Sequence, residues 1–216
     1  MLLKGCICMK KSLTVGCVIM ASGLSRRFGA NKLLANFCGQ PMLCRAFAAT
    51  TTPGISARIV VTRSEEVQVL CRAQGVPVLL HSLPGRNDTV RLGLSALLEQ
   101  LPELSGCMFL PGDQPLLRRE SISAELAFFR AHSGNIVAMG HGVQRGNPAI
   151  FPKQFFPGLR ALTGDAGGSA VIRAHKEALL HFEIPDPLEL ADVDTAEALR
   201  LLSDAHKKAD ETEEMA

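Results

Sequence analysis

Val15-Gly-Cys-Val-Ile-Met-Ala-Ser-Gly-Leu-Ser-Arg-Arg-Phe-Gly-Ala-Asn-Lys32 is the stretch that decides the fold of this chain. Its apolar run, Val15 to Ala21, reads as a buried strand. The run empties into a loop that holds small residues at Ser22, Gly23, Ser25 and Gly29, two arginines at Arg26 and Arg27, and Lys32. Small side chains let a phosphate approach the main chain, whose N–H groups then turn inward and cradle it. Arg27 and Lys32 supply cationic donors for its charge. The expectation is a triphosphate-binding loop contributed by Ala21, Ser22, Gly23, Leu24, Ser25, Arg27 and Lys32.

Two familiar glycine motifs fail here. The Walker loop needs four residues between its glycines and a Gly-Lys-Ser/Thr ending. In this chain five residues separate Gly23 from Gly29, and Leu33 follows Lys32. The dinucleotide fingerprint needs glycine at its first, third and sixth positions, and here Ser25 and Phe28 hold the third and sixth. The stretch instead resembles the signature Leu-Ala-Ala/Gly-Gly-x-Ser-x-Arg-Met/Phe-Gly-x-x-Lys of the MobA-like nucleotidyltransferases. Gly23, Ser25, Arg27, Phe28, Gly29 and Lys32 match it in register, with Met20 in place of the leucine and Ser22 at the variable small position.

At 216 residues the chain fits one ordinary domain. Hydrophobic residues make up 47%, yet no apolar run approaches the ~20 residues of a membrane span. A net charge of +2, scattered arginines and the lack of Trp and Tyr argue against a nucleic-acid binder. Seven cysteines form an odd set without repeated metal-ligand spacing. Cys17 and Cys107 lie in apolar runs and are expected as buried thiols, and Cys6-x-Cys8 is expected in a disordered leader, with a soft-metal site as the alternative. Reduced thiols point to a cytoplasmic protein. The expected division is a flexible leader over 1–14, one domain over 15–208 and an acidic flexible tail over 209–216.

Apolar β-type runs alternate with helical patterns along the chain. Strands are expected at Val15–Ala21, Arg58–Val61, Val76–Leu79, Cys107–Leu110, Ile136–Met139 and Ala178–Ile184, with a short extended piece at Pro148–Phe151. Helices are expected at Pro41–Thr51, Glu65–Gln74, Thr89–Leu101, Arg119–His132, Pro152–Leu162, Gly168–His175 and Thr195–Lys208. This order predicts an α/β, Rossmann-like domain, a mainly parallel sheet with helices on both faces. The resemblance narrows it to the nucleotide-diphospho-sugar transferase type. Ligands of such sheets sit beyond the carboxyl ends of the strands, so the loops after Ala21, Leu79 and Leu110 are expected to share one crevice.

Gly112-Asp113-Gln114-Pro115 turns at the end of the second long apolar run. A carboxylate there, facing a triphosphate loop, suits Mg²⁺, which takes one or two carboxylates and completes its shell with phosphate and water. A simple turn aspartate is the other reading. The resemblance favours the metal, because this turn is the form seen in cytidylyltransferases of the family. Ala191-Asp-Val-Asp-Thr-Ala-Glu-Ala-Leu199 resembles the family's Asp/Asn-x-Asp/Asn-Thr-Pro-Glu-Asp-Leu ending. Asp194 is expected as the second metal ligand with Asp192 in support, and Asp194 or Thr195 is also a candidate helix cap.

Two further loops are expected to choose substrates. In Pro84-Gly-Arg-Asn-Asp-Thr89, Arg86 suits a phosphate, and Asn87 and Thr89 suit a base or ribose, while Asp88 or Thr89 alternatively caps a helix. Gly146-Asn-Pro and Gly164-Asp-Ala-Gly resemble segments that line the acceptor side in relatives, making Asn147, Asp165, Gly167 and Gly168 the acceptor-binding candidates. The resemblance implies Mg²⁺-dependent transfer of CMP from CTP to the phosphate of molybdopterin or its molybdenum form, with Lys32, Arg27 and Asp113 catalytic. It implies as recipient an apo-molybdenum hydroxylase of the xanthine dehydrogenase type. Family members using GTP carry glycine at the position of Ser22 and those using CTP carry alanine, so the bulk of Ser22 favours cytosine. A guanylyltransferase, a sugar- or alcohol-phosphate nucleotidyltransferase, and a non-catalytic molybdopterin-delivery protein are the alternatives.

Overall fold

The computed structural model describes residues 13–25 and 27–214, with side chains through 208. Arg26, the Cys6-x-Cys8 pair and nearly all of the expected leader lie outside the described residues.

Strand β1 (Val15–Ala21) sends Val15, Cys17 and Ile19 into one core layer and Val18 into the other, as a side-chain period of two dictates. Strand β6 (Gly106–Pro111) repeats the division, Met108 and Leu110 against Cys107 and Phe109. A strand apolar on both faces has to be covered twice. One cover is α1 (Leu43–Ala49), α2 (Glu65–Ala73), α4 (Arg119–Ala131) and α7 (Ala196–Glu214), through Phe47, Val67, Phe129 and Leu202 among others. The other is α3 (Arg86–Gln100), α5 (Phe156–Arg160) and α6 (Gly168–Ala174), through Leu94, Leu97, Leu159 and Val171. Gly93 lets α3 lie close on β1, since a Cβ there would stand 2.5 Å from Val18 Cγ1. Each fully buried large side chain contributes roughly 1.5–3 kcal/mol, against about 0–1 kcal/mol for an exposed ion pair. The two layers therefore carry the stability.

With β4 (Ala57–Thr62), β5 (Val78–Leu80), β7 (Ile136–His141), β8 (Gln144–Pro152) and β9 (Leu179–Glu183), the sheet runs β5-β4-β1-β6-β8-β7-β9. All neighbours pair parallel except β8, which is antiparallel to β6 and β7. The expected mainly parallel sheet, covered on both faces in one domain, is what forms. Among the described residues no helix is long and apolar enough to cross a membrane. Cys17 and Cys107 are fully buried, and burial pushes the Cys17 thiol up to about 12.

Four local features differ from expectation. The extended piece at Pro148–Phe151 belongs to the nine-residue β8. The helix expected over Pro152–Leu162 is a 3-10 turn, Lys153–Phe155, leading into the five-residue α5. A small ribbon, β2 (Asn36–Phe37) with β3 (Gln40–Pro41), turns through Cys38 and Gly39, which have φ of +49° and +91°. The last helix continues past Lys208 to Glu214.

The loops after β1, β4, β5 and β6 open on one edge of the sheet, and the reversal of β8 brings its start there too. With Ala149 opposite Phe109, Asn147 lies toward the Pro111 end of β6. A cavity of about 420 Å³ between Thr50 and Arg58 lies at the amino end of β4, the opposite edge. Its Thr50 and Thr51 hydroxyls donate to the Ala46 and Phe47 carbonyls.

Candidate active site

The loop after β1 is held from beneath. The Ser22 hydroxyl donates to Val61 O at 3.1 Å and lies 3.0 Å from His81 Nε2. Arg63 donates through Nε and Nη2 to Ser22 O at 2.9 and 2.6 Å, and through Nη1 to Pro84 O at 3.3 Å. The ends of β4 and β5 thus fix where the loop begins. Farther along, Ser25 adopts φ +49°, and its Oγ accepts from Lys32 N at 3.2 Å while its carbonyl accepts from Phe28 N at 2.9 Å. Those bonds hold a serine in the left-handed region, where non-glycine residues are uncommon. Asn31 accepts from Leu33 N at 3.2 Å and donates to Ser64 Oγ at 3.1 Å. Between these elements lies a cavity of about 180 Å³, lined by Ala21, Gly23, Leu24, Ser25, Asn31, Arg63 and Ser64.

Charge gathers beside it. Lys32 Nζ stands 2.6 Å from Asp113 Oδ2 and 2.9 Å from Asp194 Oδ1, and Arg27 Nη2 is 2.6 Å from Asp194 Oδ2. Val193 N donates to Asp113 O at 2.9 Å, and Gln114 Nε2 to Leu190 O at 3.2 Å, so the Asp194 segment runs along the end of β6. Upstream, buried Glu189 anchors the segment by accepting from Arg118 N at 3.0 Å and Ser121 Oγ at 2.9 Å. Thr195 Oγ1 accepts from Ala198 N at 3.1 Å, so Thr195 caps α7 and Asp194 faces the cations. Burial pulls Lys32 down, but its bonds to Asp113 and Asp194 outweigh that and hold it above its ordinary value. The Lys32 hydrogen bond, reinforced by Arg27, holds the Asp194 carboxyl below the usual range. The Asp192 carboxyl is raised, first by its surroundings and then by the Asp113 charge.

The helix expected from Thr89 begins at Arg86, so the residues expected in a loop form the first turn of α3. Arg86 is exposed at the first turn, whereas Asn87 and Thr89 are buried. Asp88 accepts from Gly85 N at 3.0 Å, the capping role, and pairs with Arg91 at 2.7 Å. Asn87 Nδ2 donates to Leu162 O at 3.1 Å, tying the start of α3 to the 162–168 loop. On the acceptor side Asn147 and Asp165 are exposed, Gly167 precedes α6 and Gly168 lies against the Phe151 ring. Gly146, beside Asn147, packs on Leu190, just upstream of Asp192. Arg27, Lys32, Asp113 and Asp194 are joined by direct ion pairs, and among the described residues none extends to Asp165.

Arg63, His81 and Glu189 were absent from the sequence reading. The crevice rule, applied to the loop after β4 as well, points to Arg63. Burial, followed by the Arg63 charge, holds the His81 imidazole below its ordinary value, and its Nδ1 is buried without a partner. Nothing in local sequence marks His81 or Glu189.

This layout is a Rossmann-like α/β fold with its charged cluster at the carboxyl edge of a mainly parallel sheet. The MobA-like NTP transferase domain matches residues 17–179, and the chain belongs to that family. It is 30% identical over 111 residues to a 3-deoxy-manno-octulosonate cytidylyltransferase of Neisseria gonorrhoeae, spanning 51% of this chain and 44% of that one. It is 38% identical over 74 residues to a 3-phospho-D-glycerate guanylyltransferase of Phenylobacterium zucineum, spanning 34% of each. The matches thus span less than half the length of these curated relatives. A CMP:2-keto-3-deoxy-manno-octonic acid synthetase complexed with CTP shares the fold, at a TM-score of 0.74 and 14% identity over 91% of this chain and 99% of that one.

Proposed function

We propose that the chain is a Mg²⁺-dependent nucleotidyltransferase that moves CMP from CTP to the phosphate of molybdopterin or its molybdenum form, releasing pyrophosphate. The observation that carries this reading is the convergence of Arg27, Lys32, Asp113 and Asp194 beside a small-residue loop at the carboxyl edge of the sheet. An acceptor phosphate oxygen attacks the α-phosphorus of CTP and forms a new P–O–P bridge. The bond from that phosphorus to the β-bridging oxygen breaks, and its electron pair leaves with pyrophosphate. The acceptor phosphate is already ionised near neutral pH, so no general base is required, and rate comes from positioning and charge neutralisation.

Lys32 Nζ touches both carboxylates at once, so Asp113 and Asp194 converge on a point one cation can occupy. Their hard oxygens suit Mg²⁺, which when bound there supplies Lewis-acid polarisation and a template for the phosphates. Arg27 and the N–H groups of Gly23 to Ser25 hold the β- and γ-phosphates, and Lys32 neutralises charge at the α-phosphate. The Ser22 hydroxyl is engaged by Val61 and His81, so this side chain acts on the base through bulk, as alanine would.

The test is formation of the cytosine dinucleotide from CTP and molybdopterin, followed by mass spectrometry. Asp113→Ala and Lys32→Ala are each expected to lower turnover by at least ~10²-fold, with far smaller losses in nucleotide affinity. Nearly unchanged turnover in either folded variant contradicts its role. The similarity to a guanylyltransferase favours GTP as the second nucleotide to offer.

A further inference from the structure

We propose that Lys32 holds the place of the metal ion in the nucleotide-free protein, so that a divalent cation enters the site together with a triphosphate rather than alone. This rests on the nucleotidyltransferase reading and adds to it how the site is loaded. The Lys32 ammonium lies between the carboxylates that would ligate the ion, 2.6 Å from Asp113 Oδ2 and 2.9 Å from Asp194 Oδ1. Arg27 engages the other Asp194 oxygen. Both oxygens of Asp194 are therefore bound to cations before any metal arrives.

A free divalent ion would have to expel Lys32 from that point. The displaced ammonium, on a side chain only 10% exposed, would then stand beside the ion that displaced it, without its carboxylate partners. Burying a charge unpaired is costly, and two cations side by side repel. A triphosphate changes the outcome, because its oxygens receive Lys32 and Arg27 as both leave the carboxylates. The Asp192 carboxyl also feels the charges of Asp113, Lys32 and Asp194. Net charge alone thus does not exclude a free ion; occupancy of the shared point does.

The probe is Mn²⁺ alone, its free concentration followed by electron paramagnetic resonance with and without CTP. Wild-type protein is expected to bind Mn²⁺ weakly without CTP and roughly tenfold or more tightly with it, within the ~5–150-fold range usual for coupled sites. Lys32→Met, similar in length but uncharged, is expected to bind Mn²⁺ alone roughly tenfold more tightly than wild type. Adding Asp113→Asn is expected to remove that gain, and Lys32→Arg to restore weak binding. Lys32→Gln gives a second uncharged variant should methionine impair folding. Equal Mn²⁺ affinity in wild type and a folded uncharged variant overturns the place-holder. Absence of CTP binding with Mn²⁺ present overturns the nucleotide reading instead, and the comparison with Mn²⁺ alone still decides the role of Lys32.

Discussion

Ser22 and Gly85 show how single residues shape the crevice. The Ser22 carbonyl accepts from two nitrogens of Arg63, which also reaches Pro84 O, so one guanidinium joins the loop after β1 to the loop before α3. Hydrogen bonds from charged donors are worth about 1.5–3 kcal/mol. Arg63→Met is therefore expected to raise the KM for nucleotide roughly tenfold or more with a smaller change in kcat. Steady-state kinetics check this, and an unchanged KM contradicts the assigned link. Gly85 has no room for a methyl group: a Cβ would collide with Asn87 Oδ1 and stand 2.8 Å from Gly164 O. Overpacking of this kind costs about 1–3 kcal/mol. Gly85→Ala is expected to lower Tm by several degrees in a thermal melt, at roughly 2–4 °C per kcal/mol for a chain of this size.

At the scale of elements, α4 carries a buried acid. Glu125 is fully buried against the sheet, and burial holds its carboxyl well above the usual range, outweighing the opposite pull of the Met139 backbone. The folded state therefore binds a proton that the unfolded chain releases near its ordinary value of 4.5. Stability tied to this group is fully present below that value and falls as pH rises toward the folded one. Glu125→Leu is expected to raise Tm more at pH 8 than at pH 5. An equal shift at both contradicts the burial argument.

Legibility in the sequence followed the same physics. β1 and β6 were readable because both faces of each are apolar. β8 was only half readable, because Gln144 to Asn147 is polar and its place beside β6 depends on pairing with a strand far away in sequence, the context that governs β-structure. Arg27, Lys32, Asp113 and Asp194 stood out because they fall in segments that resemble the motifs of the MobA-like family, whereas Asp113 and Asp194 taken alone read equally as a turn residue and a helix cap. Glu189 did not, because its partners Arg118 and Ser121 lie about seventy residues away. Asn87 was expected to face substrate, and its actual partner, Leu162 O, is visible only once the start of α3 meets the 162–168 loop.

Across the whole molecule, the charged cluster is assembled from three distant segments: the loop after β1, the turn after β6 and the stretch before α7. None holds more than part of the cluster, and the parallel sheet is what brings them to one edge. Membership of the MobA-like NTP transferase family supports nucleotidyl transfer, and the central proposal built on it is that the nucleotide is CTP and the acceptor molybdopterin. The most direct test is pyrophosphate release with Mg²⁺ and intact molybdopterin, offering CTP, GTP, ATP and UTP separately. Release with CTP alone is the predicted result. Release with GTP instead would keep the mechanism and contradict the choice of base, and silence with all four would contradict the proposed reaction.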